Sequence, residues 1–125
     1  MTASNYPLNK ILVTDVFTGE SLALLRARFG SKIFLAKDRR PTSEELQGTQ
    51  GLLIRSRTRI DQELLDQTPE LQIVVTATSG FDHIDLRACK ARGVLVMHTP
   101  EANAPSVCEL TFGLMITLFR QLDEM

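Results

Sequence analysis

Gly51-Leu52-Leu53-Ile54-Arg55 and, beginning 21 residues later, Gln72-Ile73-Val74-Val75-Thr76 are the two segments that decide the fold. Neither alternates apolar with polar residues. A short continuous run of Val, Ile and Leu is the pattern of a strand covered on both faces, which is the condition of a parallel sheet. Working outward, Lys10 to Asp15 (KILVTD) and Lys32 to Ala36 (KIFLA) precede this pair, and Val94 to His98 (VLVMH) follows it. The five runs start 22, 19, 21 and 22 residues apart, too far for hairpins and long enough for a helical crossover each time. The expected fold is α/β, a five-stranded parallel sheet with flanking helices.

The segments between the runs carry helix signals. Leu22, Leu25 and Phe29 form an i, i+3, i+7 stripe ahead of Gly30, and Thr42 with Glu45 has capping-box spacing before Leu46. Asp61 can cap a helix containing Leu64 and Leu65 that ends before Pro69. Asp82 and Asp85 stand where a helix running to Arg92 begins, with Gly93 as its stop. After the fifth run the rhythm breaks at Thr99 to Ala104 (TPEANA). A long helix is expected from about Pro105 to Leu122, with Pro105 in its first turn. Its stripe is Val107, Leu110, Leu114, Leu118 and Leu122, but Phe112, Met115, Ile116 and Phe119 spread apolar surface around most of the circumference. Such a helix expects burial on nearly every side, and the α/β unit can cover one face at most. A second domain or a second subunit is therefore expected against it. The chain reads as an N-terminal piece of a larger protein that associates with itself through residues 105–122.

Composition narrows the function. With 125 residues, 14 Lys and Arg against 15 Asp and Glu, and a net charge of -1, the chain lacks the clustered cationic excess that phosphate backbones require, so nucleic acid is excluded as a partner. No apolar run approaches the ~20 residues of a membrane span, and the start is polar; no membrane partner and a cytoplasmic location are expected. Cys89 and Cys108, the two cysteines, have no CxxC spacing and no histidine ligand set, so both are read as reduced.

In an open doubly wound sheet, ligands bind beyond the carboxyl ends of the strands, near the point where strand order reverses. Two of the segments placed there are informative. In Arg55-Ser56-Arg57-Thr58-Arg59, the Arg55 fork can clamp a carboxylate or phosphate while the Ser56 and Thr58 hydroxyls complete an anion cradle; a solvated charged turn would look similar. In Thr76 to Asp85 (TATSGFDHID), Gly80 permits close backbone approach, and a following helix start favours a negative group; a plain strand-to-helix turn is the alternative. His83 and His98, the two histidines, are read as structural. No nucleophile and base have triad logic, Asp82 and Asp85 are too sparse for a metal site, and neither GxGxxG nor GxxxxGK[ST] occurs.

Three strings, GLLIRSRTRID, VVTATSGFDHIDLRACKARGVLVMHTP and EANAPSVCELTFGLMITLFR, occur in an order and spacing that closely resembles the N-terminal region of the D-isomer-specific 2-hydroxyacid dehydrogenases. The likeness runs from Lys10 to Gln121. It implies a flavodoxin-like substrate-binding domain over residues 1–99, followed over 100–125 by a hinge and the first helix of a Rossmann domain that binds NAD. It also implies site residues. Arg55, Ser56 and Thr58 match a motif at the substrate cleft. Ser79 and Gly80 match backbone facing the substrate carboxylate. Asn103 matches a substrate contact, and Ser106 and Val107 match positions near the nicotinamide. Cys108 stands where a small residue is usual, and Asp82 where Asn is also common. The family's catalytic Arg, Glu and His map onto nothing here, so the chain carries no catalytic residue of its own, and NAD binding needs the further domain.

The implied activity is hydride transfer between NAD and a D-2-hydroxy acid. The Arg-rich turn favours a small phosphorylated acid, 3-phosphoglycerate foremost, with 4-phosphoerythronate also open. A standalone small-acid binding or regulatory module is the alternative. A phospho-acceptor receiver would need an acidic pair after the first strand, Asp after the third and Lys after the fifth; this sequence has Asp15 alone, Arg55 and His98.

Overall fold

The computed structural model describes residues 8–38 and 40–120. Five strands, β1 (Ile11–Val13), β2 (Ile33–Leu35), β3 (Gly51–Ile54), β4 (Ile73–Thr76) and β5 (Leu95–His98), form one parallel sheet in the order β2-β1-β3-β4-β5. Between them run the helices α1 (Gly19–Phe29), α2 (Ser43–Leu46), α3 (Gln62–Asp66) and α4 (Leu86–Ala91), and α5 (Ala104–Arg120) follows β5.

Strand order reverses once, because β1 lies between β2 and β3. Right-handed crossovers then put α1 on one face and α2, α3 and α4 on the other. Side chains alternate accordingly. Leu12, Leu52, Ile54 and Val74 face the three-helix side and are buried with Leu46, Leu64, Leu65 and Cys89. Ile11, Val13 and Ile33 face α1, where Leu22 and Leu25 pack against them. Phe29, the third member of the α1 stripe, stays 41% exposed, since α1 covers only the β1–β2 side of its face. On the same face Leu95 and Met97 of β5 also stand half exposed.

The expected caps form. Thr42 and Glu45 make a reciprocal capping box on α2, and the carboxylate of Asp61 accepts from the Leu64 amide at the start of α3. The fourth helix begins later than Asp82. Ile60 pairs with Ile84, its amide donating to His83 O at 2.9 Å while the Asp85 amide donates to Ile60 O at 2.8 Å. That pairing, with a turn closed by the Ile84 amide donating to Phe81 O at 2.9 Å, keeps residues 82–84 out of the helix, so Asp85 is the cap, accepting from the Ala88 amide at 2.9 Å. Gly93 lies just beyond the helix at φ +70°.

The last helix departs further from expectation. Its described part ends at Arg120, so Leu122 lies outside the described residues. Not even one face of α5 packs on the sheet: none of its residues is buried, and Leu118 and Phe119 are 72% and 82% exposed. No helix of the described residues is long and apolar enough to cross a membrane.

Candidate functional site

The reversal between β1 and β3 leaves a crevice at the carboxyl edge of the sheet, and the turn after β3 is built into it by one carboxylate. Asp15 Oδ2 accepts from the Arg55 amide at 2.6 Å and from Thr58 Oγ1 at 3.0 Å, so the beginning and end of the Arg-Ser-Arg-Thr turn hang on the residue that follows Thr14. Thr58 Oγ1 also lies 2.6 Å from Thr14 Oγ1. A carboxylate only accepts, so Thr58 gives its proton to Asp15 and Thr14 gives its own to Thr58. Thr58 is buried, and its hydroxyl is committed to shaping the turn rather than turned outward as a cradle group. Asp15 is the residue that sequence reasoning passed over; its signal was its position directly after the first strand, opposite the turn.

The three arginines of the turn are placed differently. Arg55 Nη1 donates to Val16 O at 3.2 Å, so part of its fork is engaged by the loop after β1. With Asp15, Val16, Ser56 and Arg57 it lines a cleft of about 380 Å³. Arg57 lines this cleft and two more, one of about 190 Å³ with Thr14, Lys37 and Asp38, and one of about 180 Å³ with Arg40, Thr58 and Arg59. Arg40 is paired with Glu63 at 2.6 Å, whereas Arg57 has no ion-pair partner among the described residues. Arg57 is thus the uncommitted cation common to the three clefts, which a sequence holding three equivalent-looking arginines could not single out.

The second group lies one strand over. Ile54 and Thr76 are register partners, and the Ala77 amide donates to Ile54 O at 2.9 Å, so the turns after β3 and β4 leave the same edge of the sheet. Arg55 and Gly80 therefore share that edge, although the Arg55 side chain leans toward β1 while the 79–80 loop leans toward β5. Ser79 Oγ donates to Asn103 Oδ1 at 2.8 Å, which ties the loop to the hinge before α5. Gly80 is not at a helix N-terminus, because α4 starts six residues further on. Nor does the fold demand glycine there. Among the described glycines positive φ is confined to Gly30, Gly48 and Gly93, and a Cβ at Gly80 would make only an ordinary 3.7 Å contact with Asp82.

His83, half-buried beneath this loop, is held below its ordinary value of 6.5 by burial, which outweighs the opposing pull of the Asp15 and Asp82 carboxylates. Burial likewise pushes the Cys89 thiol up. Ser106 and Val107 lie in the exposed first turns of α5, Val107 at 53% exposure with its amide donating to Asn103 O at 3.0 Å.

These are the features of a doubly wound α/β domain whose open crevice lies at the carboxyl edge, where the strand order turns back. A family model described as D-isomer specific 2-hydroxyacid dehydrogenase, catalytic domain, matches residues 11–120, and the chain belongs to that family. It is 40% identical over 80 residues to the human D-3-phosphoglycerate dehydrogenase, covering 64% of this chain and 15% of that protein. Among solved structures it is similar to a D-lactate dehydrogenase from Aquifex aeolicus complexed with NAD and lactic acid, at TM-score 0.78 and 28% identity over 91% of this chain and 34% of that one. An NAD+-bound 3-phosphoglycerate dehydrogenase of Entamoeba histolytica aligns at TM-score 0.77 and 30% identity over 90% of this chain and 40% of that one. The chain spans about a sixth to two fifths of the lengths of these three relatives.

The family is one of NAD-dependent oxidoreductases, but the residues present do not fit the dinucleotide by themselves. Ser106 and Val107 project from an exposed helix with no glycine-rich phosphate loop before it, so neither is held against a wall that could grip a nicotinamide ring.

Proposed function

We propose that this chain supplies the substrate-binding half of the cleft of an NAD-dependent dehydrogenase that moves hydride between NAD and a D-2-hydroxy acid, with 3-phosphoglycerate as the foremost substrate. The observation that carries the reading is that two adjacent turns leave the same sheet edge, one after β3 bearing the uncommitted guanidinium of Arg57 and one after β4 bearing Ser79 and the exposed Gly80. The loop amides take the acid's carboxylate. Arg57, with Arg55 and Ser56 beside it, takes the phosphate at the far end of the same small molecule. Thr58 acts indirectly by fixing the turn through Asp15, and Asn103 holds Ser79 in place. When the intact enzyme binds NAD, that cofactor supplies or accepts the hydride. What these residues do is bind and orient the acid and, once a second lobe closes over them, hold it away from water so that the ionic contacts strengthen.

In this reading residues 1–99 form the substrate unit and residues 100–125 the hinge and opening helix of a cofactor domain, to which Ser106 and Val107 belong. The apolar surface of α5 then covers itself against that domain or against a second copy. The catalytic Arg, Glu and His of the family have no counterpart here, so the isolated chain is expected to bind acid without turning it over. Titrating 15N-labelled chain with D-3-phosphoglycerate should shift Arg57, Ser79 and Gly80, D-lactate should do so more weakly, and Arg57→Ala should abolish the preference. Equal response to both acids would refute the phosphorylated substrate, and no response would refute the site. NADH formation by the purified 125-residue chain would overturn the assignment as a half-site. Binding without turnover also suits a standalone acid-sensing module, which the loss of binding on adding a cofactor domain in trans would favour.

A further inference from the structure

The chain's two histidines are not in the chemistry proposed above, yet they converge on two adjacent peptide groups, one directly and one through two threonine hydroxyls. His98 Nδ1 lies 3.0 Å from Ser79 O. His83 Nε2 lies 3.0 Å from Thr76 Oγ1, which lies 2.6 Å from Thr78 Oγ1, whose hydroxyl donates to Gly80 O at 2.8 Å. The direction of every proton in these contacts follows from the two ends. A carbonyl only accepts, and each threonine hydroxyl has one proton to give. Thr78 spends its proton on Gly80 O, so it must accept from Thr76. Thr76 spends its proton on Thr78, so it must accept from His83. The imidazole of His83 therefore carries hydrogen on Nε2. By the same rule His98, facing the Ser79 carbonyl, carries hydrogen on Nδ1.

We propose that His83 and His98 are a pair of positioning residues in opposite tautomers that pin the consecutive carbonyls of Ser79 and Gly80. The peptides are trans, so the N–H groups of Gly80 and Phe81 lie anti to those carbonyls and point away from the groups that donate to them, His98 and Thr78. Neither amide donates to an acceptor among the described residues, and both belong to exposed residues. The pair thus keeps two adjacent donors unspent and fixed in direction. That they serve an anion rests on the function proposed above; the tautomers and the ordering of the loop do not. The arrangement also accounts for the burial of Thr76, a polar side chain in the innermost layer of the sheet: it is the relay between a ring on one side and a loop on the other.

Long-range 1H–15N spectra of the imidazoles above pH 7.5 test the pair directly. The expected result is His83 protonated on Nε2 and His98 on Nδ1. In Thr78→Val, Thr76 is free to turn its proton toward His83, and the Nε2–H preference of that ring should relax. Finding both rings in one tautomer, or His83 unchanged by Thr78→Val, would overturn the relay. Conservative replacements separate positioning from bulk. His83→Gln and His98→Asn each retain a donor near the lost ring nitrogen and should keep single, sharp Gly80 and Phe81 amide signals. His83→Leu and His98→Leu should broaden or split them and weaken binding of acetate, a bare carboxylate, roughly tenfold, the worth of one lost hydrogen bond. Leucine variants with wild-type loop signals would overturn the positioning role, and unfolding of a leucine variant leaves the tautomer measurement on the native chain as the deciding one. If the tautomers and loop signals come out as expected and acetate shifts neither amide, the anion reading fails and the pair stands.

Discussion

Gly80 separates what folding asks of a residue from what binding asks of it. Its φ is not positive, and a methyl group there meets nothing closer than 3.7 Å, so Gly80→Ala should leave the urea midpoint unchanged or raise it slightly, since alanine narrows the unfolded ensemble. The same variant should bind D-3-phosphoglycerate more weakly, because the methyl group occupies the space an acid must enter; unchanged affinity in a titration would remove Gly80 from the site. His83 makes a pH prediction whose sign is fixed. Its folded value lies below 6.5, so the unfolded chain takes up the proton first as pH falls. That contribution to stability is complete above about 6.5 and is lost as pH drops toward and through the lower folded value. Urea midpoints between pH 7.5 and 5 should decline in the native chain and decline less in His83→Gln; identical slopes would show that burial of this ring does not govern the acid limb.

At the level of single elements, short helices here depend on their ends. The second helix has four residues, too few to stand on propensity, and it persists because Thr42 and Glu45 satisfy each other's amides while Leu46 is buried in the core. Thr42→Ala should cost about 1 kcal/mol in equilibrium unfolding, the usual worth of such a cap. Hydrogen bonds from the Thr42 and Lys37 amides hold the Glu45 carboxyl below its ordinary 4.5, so this stabilisation is present above that value and fades as pH falls through the lower folded one. The pH ranges of Glu45 and His83 are therefore separable in one titration. The cap residues were legible from spacing because a cap is a local bond. The late start of α4 was not, because the partner that holds Ile84 out of the helix is Ile60, more than twenty positions away in the chain.

For the molecule as a whole, the sheet is well covered on the side of α2, α3 and α4 and thinly covered on the side of α1, while α5 carries eight large apolar side chains into solvent. An exposed apolar surface of that kind drives association. Sedimentation of the purified chain should show a concentration-dependent dimer or larger species, reduced by Leu114→Glu together with Leu118→Glu; a monomer at high concentration would count against α5 as an interface.

The five parallel strands, the caps Thr42 and Asp61 and the break before α5 could be read from the sequence, because each rests on local periodicity or on spacing a few residues wide; the strand order could not. The family resemblance rested on strings that are contiguous in the same way. Which arginine lines all three clefts, what holds Thr58, and where the two histidines send their protons were decided only by the tertiary structure. Those properties depend on Asp15 meeting residues some forty positions later and on His98 meeting Ser79 nineteen positions before it. A hydrogen-bond partner at that separation leaves no periodic trace in a sequence, since only the folded sheet brings the two ends of the contact together.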